Sequence, residues 1–448
     1  MTTASLQNNY GATDNTSTAN LTGEHPLHTH ALPQLLFYMA VFTIPYYQWR
    51  HLVEGIPFMK IDWLLVMALT AIIIPNIFSR KSTPDSLKSN LWPWLGVFLL
   101  INVISSLLSS YTGHCFKNLF NPLLVGYAFI ALNMIMISRK GFERYLPMVL
   151  AWSIGINAFL GFLGYFFGFT PFGGERGRGL TIGANNMALM SIFTIPLLVH
   201  WIFHAKTRVR ASVGGILLIV NILGVISSES RGGFLSLTIV VLLILFELRH
   251  RFHPKYLGIA IALTGAVLIA IISFVPKDYI QRQTTIGSIG EREAGKSIQR
   301  REAYLLVAWD AFTDRPLLGS GTSAFPKIWV QSEQTRRFDM VERPAHNTYA
   351  EVLVGTGAVG FFLFMMLLWT AFDNFSKAKE IFRKAGSESM SSLTSAYQLS
   401  FLAVCIYFMF KSGLGHKLFL LSLPISQVAL TLARKESSLN KEEGTEDV

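Results

Sequence analysis

The sequence has 448 residues, of which 51% are hydrophobic and only 15% are charged, and its formal net charge is +11. Soluble domains carry about 25% charged residues, whereas here the apolar residues fall in runs of about 20, the length that crosses a bilayer core of about 30 Å. Composition therefore excludes an ordinary soluble protein and predicts an all-α polytopic integral membrane protein. The basic residues are spread over many short connections, which argues against nucleic-acid binding.

The first segment in chain order, residues 1–31, is rich in Thr, Asn and Ser and lacks the basic n-region of a signal peptide. We predict a disordered cytoplasmic tail here, with its three histidines solvated. The two cysteines, Cys115 and Cys405, fall in a predicted short loop and in an apolar run. The sequence therefore predicts neither a disulfide nor a cysteine-based metal site.

About twelve apolar segments are predicted to cross the membrane, nine before a long polar segment and three after it. Cytoplasmic loops are enriched in Lys and Arg, and the predicted loops on the side of the N-terminus carry about twice as many as those on the other side. Both termini are therefore predicted to be cytoplasmic. The predicted spans are 33–49, 61–79, 91–110, 119–138, 145–167, 186–203, 211–228, 232–248, 256–276, 349–372, 396–412 and 415–433.

These spans divide the chain into transmembrane parts at 32–276 and 349–433, a long periplasmic loop at 277–348 and a cytoplasmic tail at 434–448. The spans contain few ionisable residues, and the clearest of these lie near predicted span ends. Proton-coupled transporters place such residues at mid-membrane, and no two similar halves are visible in the sequence. We therefore expect chemistry at the outer face rather than a pathway through the bilayer.

The long outer loop is predicted to contain amphipathic helices. Over 297–314 the pattern is helical, with Leu305, Ala308, Trp309 and Phe312 on one face. We expect this helix to lie on the bundle or along the membrane interface.

Arginines from three separate outer segments form a candidate anion site. Arg176 and Arg178 lie in the run FGGERGRGLTIGANN, where glycine permits close approach to a ligand. Arg231 lies in a tight turn between two predicted spans. Arg300 and Arg301 lie near the predicted start of the amphipathic helix, where the helix dipole favours an anion. A guanidinium fits phosphate oxygens and stays charged; solvated or lipid-facing charge is the alternative.

Two common kinds of phosphate-binding site are not predicted. The glycine-rich run follows no strand, so it is not a nucleotide-binding loop. The sequence has no Asp-rich motif that would coordinate magnesium. We therefore predict no metal and no cofactor, and expect arginines to neutralise the charge that a metal neutralises elsewhere.

His346 is the histidine of the long outer loop, and an apolar run follows it. Its neutral imidazole can take a proton from an acceptor hydroxyl near neutral pH; the alternative is a capping or interfacial role without chemistry. Asn347 or Thr348 is predicted to cap the next helix. Glu351 is a supporting candidate that orients His346, acts as the base itself or pairs with an arginine.

Three stretches taken in order resemble the O-antigen ligase/polymerase superfamily: SRGGFLSL at 230–237, AWDAFTDRPLLGSGTSAF at 308–325 and HNTYAEVLVGTGAVG at 346–360. Ten residues separate His346 from Gly357, as in the histidine–glycine motif of O-antigen ligases. The resemblance implies a bacterial inner-membrane glycosyltransferase that takes its glycan from undecaprenyl diphosphate at the periplasmic face, without metal.

The resemblance also implies roles for individual residues. Arg231 and one of the pair Arg300/Arg301 match arginines linked to diphosphate binding, and the run around Arg176 and Arg178 is a looser match. His346 matches the histidine proposed to act on the acceptor hydroxyl in an inverting transfer. The implied partners are the undecaprenyl diphosphate-linked glycan, lipid A–core as acceptor and membrane lipids.

Other functions stay open at this point. The histidine–glycine spacing favours a ligase, and a polymerase that joins one lipid-linked glycan to another is the main alternative. A protein O-oligosaccharyltransferase is a third candidate, although those chains usually have a longer C-terminal region. A lipid-linked glycan flippase or a transporter would also have about twelve spans.

Overall fold

A computed structural model describes residues 31–46, 87–120, 126–168, 176–249, 293–338 and 340–446. Every regular element in these ranges is helical, which confirms the predicted all-α class for this part of the chain. Residues 1–30 of the predicted tail 1–31, the predicted spans at 61–79 and 256–276 and the first part of the long outer loop lie outside the described residues, and Ala31 begins a helix.

Thirteen α-helices are assigned in the described residues. They are α1 (Ala31–Phe42), α2 (Leu91–Leu107), α3 (Thr112–Phe120), α4 (Gly126–Met136), α5 (Leu146–Phe166), α6 (Ala184–Phe203), α7 (Arg208–Ser227), α8 (Arg231–Leu248), α9 (Glu293–Asp314), α10 (Phe325–Gln331), α11 (Thr348–Lys384), α12 (Glu388–Tyr407) and α13 (Lys417–Glu446). A π-helical turn, Gly141–Tyr145, precedes α5, and a 3-10 helix, Glu333–Arg337, follows α10.

Six helical segments in the described ranges are long and apolar enough to cross a membrane. They are Gly141–Phe166, Ala184–Phe203, Arg208–Ser227, Arg231–Leu248, Thr348–Lys384 and Lys417–Asn440. Each overlaps a predicted span, and Thr348–Lys384 and Lys417–Asn440 extend beyond the C-terminal ends of theirs. The helices α1, α2 and α4 are shorter apolar helices at three further predicted spans, and α12 lies at another but begins with the polar run ESMSSLTS. A multi-pass protein is supported, while twelve spans and their orientation stay predictions.

Close helix packing depends on small residues at the crossings. The most extensive contacts join α6 to α7 and α12, α7 to α5, and α11 to α13, α12 and α2. A Cβ atom added at Gly224 of α7 would lie 2.7 Å from Cβ of Ala158 on α5, and one at Gly233 of α8 would lie 2.9 Å from Cβ of Ala188 on α6. Small residues let the helix backbones approach closely. Such close packing favours helix association in a membrane, because lipid provides no hydrophobic driving force between helices.

Helix α11 is broken at Gly357, where φ is 64° and ψ is −167°. The chain after α9 fills the break: the N–H of Ala358 donates to the carbonyl of Pro316 (2.8 Å), and that of Val359 to the carbonyl of Leu317 (3.3 Å). A Cβ atom at position 357 would lie 2.3 Å from the Leu317 oxygen. Only glycine tolerates both this φ and this contact.

The same connecting segment is held on its other side by α11 and α2. The N–H of Ser320 donates to the carbonyl of Val354 (2.8 Å), and that of Gly321 to the carbonyl of Gly355 (3.0 Å). The hydroxyl of Ser105 on α2 also donates to Gly355 (2.5 Å). The predicted outer loop is therefore tied into the helix bundle at 316–322, and this fixes where α9 and α10 lie.

Helix α9 packs through a different face from the apolar one predicted. Leu305 and Trp309 are 49% and 59% exposed, although Ala308 is buried. The Tyr304 ring instead packs against Trp329 of α10, with 4.5 Å between ring centroids. From Gln299 onward, where burial in α9 is described, the buried positions are Ala303, Tyr304, Val307, Ala308 and Ala311.

Candidate functional site

Tyr407, the last residue of α12, connects several of the predicted site segments. Its hydroxyl is 3.0 Å from the hydroxyl of Ser230, the N-cap residue of α8, whose first residue is Arg231. Arg176 and Arg301 both interact electrostatically with Tyr407. Residues from before α6, the start of α8, α9 and the end of α12 therefore meet at one end of the bundle.

His346 belongs to the same cluster and lies immediately before α11. Its φ of 52° is a left-handed conformation that costs a residue with a side chain about 1–2 kcal/mol. Burial lowers the pKa of His346 to about 4, and four surrounding cations contribute to the shift. These cations are Arg301, Arg343, Lys411 and Arg300. The imidazole is therefore neutral at neutral pH, the state that accepts a proton.

The residues on either side hold the histidine in place. Asn347 is the N-cap of α11, as predicted, and its side chain accepts a hydrogen bond from the N–H of Ala350 (3.1 Å). The Glu351 carboxylate accepts from the N–H of Ala345 (2.8 Å) and from the hydroxyl of Ser412 (2.6 Å). Three roles were considered for Glu351. These contacts favour the first, in which Glu351 orients His346 by holding the main chain of the preceding residue, Ala345.

Arg300 and Arg301 lie two turns inside α9, because this helix begins at Glu293. The predicted contribution of the α9 N-terminus to anion binding is therefore wrong, since a helix dipole acts mainly within the first turn. The Arg300 guanidinium instead lies over the Phe338 ring, 5.4 Å from its centroid. Burial lowers the pKa of Arg301, because it disfavours the charged guanidinium. An anion that enters the site therefore stabilises the charged form.

The glycine-rich run places Arg176 by direct hydrogen bonds. Its Nε donates to the carbonyl of Ser228 (2.8 Å), and its Nη2 to the side-chain oxygen of Asn185 (3.1 Å). The carbonyl of Arg178 accepts from the hydroxyl of Thr181 (2.7 Å) and fixes the turn that follows. Thus Arg176 joins the cluster through its guanidinium, and the main chain of Arg178 fixes the turn that follows.

Two cations that the sequence did not single out also face the histidine: Arg343 and Lys411. Lys411 donates to the side-chain oxygen of Asn186. It reaches the site because the end of α12 abuts the start of α11, where the N–H of Thr348 donates to the carbonyl of Phe408 (2.8 Å). Arg343 lay in the predicted outer loop, but nothing set it apart from that loop's other arginines.

A neutral imidazole surrounded by cations suits one kind of chemistry. The cations attract a polyanion and stabilise negative charge that develops on a leaving group, and guanidinium forks fit phosphate oxygens. The imidazole meanwhile remains unprotonated and available as a base. The site is therefore suited to displacing a phosphate-type leaving group with a hydroxyl nucleophile.

Comparison with known proteins agrees with this chemistry. Residues 214–365 match the Wzy_C family model, described as O-antigen ligase; the matched stretch includes Arg231, Arg300, Arg301 and His346. An uncharacterized protein of Haemophilus influenzae is 26% identical over 206 residues, which are 44% of this chain and 51% of that protein. The chain thus spans about half the length of that relative. Residues 214–365 therefore support a relationship to the O-antigen ligase superfamily, which the three sequence stretches predicted.

Proposed function

We propose that this protein is an inner-membrane glycosyltransferase that transfers an O-antigen-type glycan from undecaprenyl diphosphate to lipid A–core at the periplasmic face. The observation that carries the proposal is the neutral His346 surrounded by Arg300, Arg301 and Arg343, inside the stretch that matches the O-antigen ligase family. The proposal includes cytoplasmic termini and needs no metal or cofactor.

In this reaction the bond between the sugar anomeric carbon and the diphosphate oxygen breaks, and a bond to the acceptor oxygen forms. The acceptor hydroxyl loses its proton to the imidazole of His346, which later releases it to water. The departing oxygen takes the bonding electrons, so undecaprenyl diphosphate gains negative charge. Arg176, Arg231 and Arg301 stabilise that charge, because preorganised cations act most strongly where charge develops. Attack opposite the leaving group inverts the anomeric centre.

The same cations couple donor binding to base strength. In the free enzyme burial and positive charge lower the pKa of His346 to about 4, so the imidazole is a weak base. A bound diphosphate offsets those charges and raises the histidine pKa toward its ordinary value. The base therefore gains strength only when a donor is present to be attacked.

The test of the base uses the purified full chain in nanodiscs with undecaprenyl diphosphate-linked glycan and lipid A–core. His346→Ala should lower the rate of transfer by about 10²–10⁴, the range for loss of a general base. His204→Ala is the matched control, because His204 is half-buried at the C-terminal end of α6. Normal transfer by a folded His346→Ala protein would rule out the base role.

The test of anion binding uses Arg301→Gln and Arg301→Lys. We expect both to raise the KM for donor, with Lys retaining part of the affinity because it keeps the charge and loses the planar fork. Arg337→Gln is the control, since Arg337 is an exposed arginine in the same outer segment. An equal effect of Arg301→Gln and Arg337→Gln would contradict a specific contact with the diphosphate.

A polymerase is the second candidate, because the residues that favour a diphosphate donor would serve both enzymes. The two functions differ in the acceptor alone. A glycan joined to lipid A–core, with undecaprenyl diphosphate released, establishes the ligase. Longer chains still attached to undecaprenyl diphosphate, formed without lipid A–core, establish the polymerase. Absence of both products with intact donor bound would favour a flippase or transporter.

A further inference from the structure

A polar cleft lies along the C-terminal half of α9. Its volume is about 580 Å³, and it is bounded by α9, by α10 with the 3-10 helix that follows, and by the connection between α2 and α3. Carboxylate and amide side chains line much of it: Asp310, Asp314, Gln331, Glu333 and Gln334. Ligand pockets usually measure about 300–1,000 Å³, so the cleft has room for a ligand of its own.

This cleft is separate from His346 and its surrounding cations, none of which is among the described residues that line it. Asp310 follows Arg301 by nine residues, which are about two and a half turns of an α-helix. Asp310 therefore lies on the side of α9 opposite Arg301. Asp310 and Asp314 are also roughly 14–20 Å farther along the helix axis, at 1.5 Å per residue.

The sign of the charge also distinguishes the cleft from the arginine site. Among the described residues that line it, Asp310, Asp314 and Glu333 are acidic, and Arg315 is the one basic residue. Carboxylates repel phosphate groups. The diphosphate is therefore not the group that this cleft accepts, and an uncharged ligand suits it better.

Hydrogen bonds hold the walls of the cleft in place before a ligand binds. The Arg315 guanidinium donates to the carbonyl of Leu108 (3.0 Å) and to the hydroxyl of Ser110 (3.2 Å), which joins the end of α9 to the connection between α2 and α3. In the same connection, the hydroxyl of Tyr111 donates to the side-chain oxygen of Gln331 at the end of α10. Such a preformed site loses less conformational entropy when it binds a ligand.

The lining of the cleft fits the chemistry of a sugar. Sugar hydroxyls both donate and accept hydrogen bonds, and here carboxylates accept them while amides and hydroxyls do both. Val307 and Ala311 are buried and Ile328 is half-buried, and all three line the cleft. They form an apolar floor that suits the C–H face of a sugar ring. A bare cation would use only the carboxylates.

We propose that this cleft binds uncharged distal sugars of a long donor glycan whose diphosphate lies at the arginines on the other side of α9; this assignment rests on the proposed function. A single sugar attached to the diphosphate cannot span the distance along α9, whereas a longer chain reaches both sites. One chain held at two sites gains affinity, because its second contact is intramolecular. The protein therefore favours donors that carry long glycans.

The first experiment measures binding of the free glycan, released from its lipid by mild acid, to the full chain in nanodiscs. Asp314→Ala should raise the Kd about tenfold, the loss expected for one hydrogen bond to a charged group. Asp314→Asn should retain part of the affinity, because its amide oxygen still accepts. Glu302→Ala is the control, since Glu302 is an exposed acidic residue of α9 outside the described lining of the cleft. An unchanged Kd in Asp314→Ala, or an equal rise in Glu302→Ala, would overturn the proposal.

The second experiment separates this proposal from the proposed function. In the transfer assay, Asp314→Ala should raise the KM for a long-chain donor about tenfold and leave the KM for a single-sugar donor unchanged. An equal rise for both donors would mean that Asp314 acts at the reaction centre, and would overturn the proposal. Asp314-dependent binding of the free glycan by a protein that transfers none would overturn the proposed function while retaining a glycan site.

Discussion

The break in α11 offers the sharpest test of how this fold is held together. Gly357 has a φ of 64°, and a Cβ atom there would lie 2.3 Å from the carbonyl oxygen of Leu317. Gly357→Ala therefore introduces backbone strain of about 1–3 kcal/mol, because this combination of φ and ψ is essentially restricted to glycine, and it pushes the docked segment away. The hydrogen bonds from Ala358 and Val359 to this segment would then be lost, at about 1 kcal/mol or more each. We expect a total loss of about 3–5 kcal/mol of unfolding free energy.

Substitutions at two other glycines distinguish the cost of backbone strain from the cost of a steric clash. Gly386 follows α11 with a φ of 78° and has nothing within 4 Å of an added Cβ atom, so Gly386→Ala should cost only the strain, about 1–2 kcal/mol. Gly96 lies inside α2, also with nothing within 4 Å, so Gly96→Ala should stabilise the protein by about 0.5–1 kcal/mol.

The assay is reversible unfolding of the full chain in mixed micelles titrated with a denaturing detergent, followed by tryptophan fluorescence. The expected order of stability is Gly96→Ala, wild type, Gly386→Ala and then Gly357→Ala. If Gly357→Ala costs no more than Gly386→Ala, then docking of 316–321 into the helix break does not contribute to stability, and the reasoning is refuted. Gly357→Ala should also lower transfer, because the same segment positions α9 and its arginines.

Three further predictions concern the cluster around the histidine. Asn347→Ala removes the cap of α11 and should cost about 1 kcal/mol of unfolding free energy in the same titration. Because His346 has a pKa of about 4 in the free enzyme, kcat/KM for donor should stay level as pH falls to about 5 and decline as pH nears the histidine pKa. The acid limb of kcat should lie at higher pH, since bound diphosphate raises that pKa. Tyr407→Phe removes the hydroxyl bonded to Ser230 and should weaken donor binding, measured as KM, with a smaller effect on kcat.

Each of these has a result that would contradict it. An Asn347→Ala protein as stable as wild type would mean that the cap does not stabilise α11. A kcat/KM profile that falls with a midpoint near the ordinary histidine pKa of about 6.5 would mean that burial and cations do not act on His346. A lower kcat in Tyr407→Phe, with KM unchanged, would place the hydroxyl in the chemical step rather than in binding.

Local properties of the chain account for what the sequence could predict. Long apolar runs identified six segments that are long enough to cross a membrane, because length and composition suffice for that inference. The cap at Asn347 was also predictable, since capping involves residues three positions apart. The spacing of His346 and Gly357 indicated a resemblance to the O-antigen ligase superfamily, and the family match over 214–365 supports that resemblance.

Contacts between distant residues decided the rest. Gly357 meets Leu317 forty positions earlier in the chain, and the packing of Tyr304 on Trp329 determines which face of α9 is buried. Lys411 acts on His346 only because α12 ends against the start of α11. Sequence alone therefore determined a helical membrane protein and singled out a histidine and several arginines as a candidate site. Tertiary structure decided which cations surround the histidine, because electrostatic interactions depend on distance in space and not on separation along the chain.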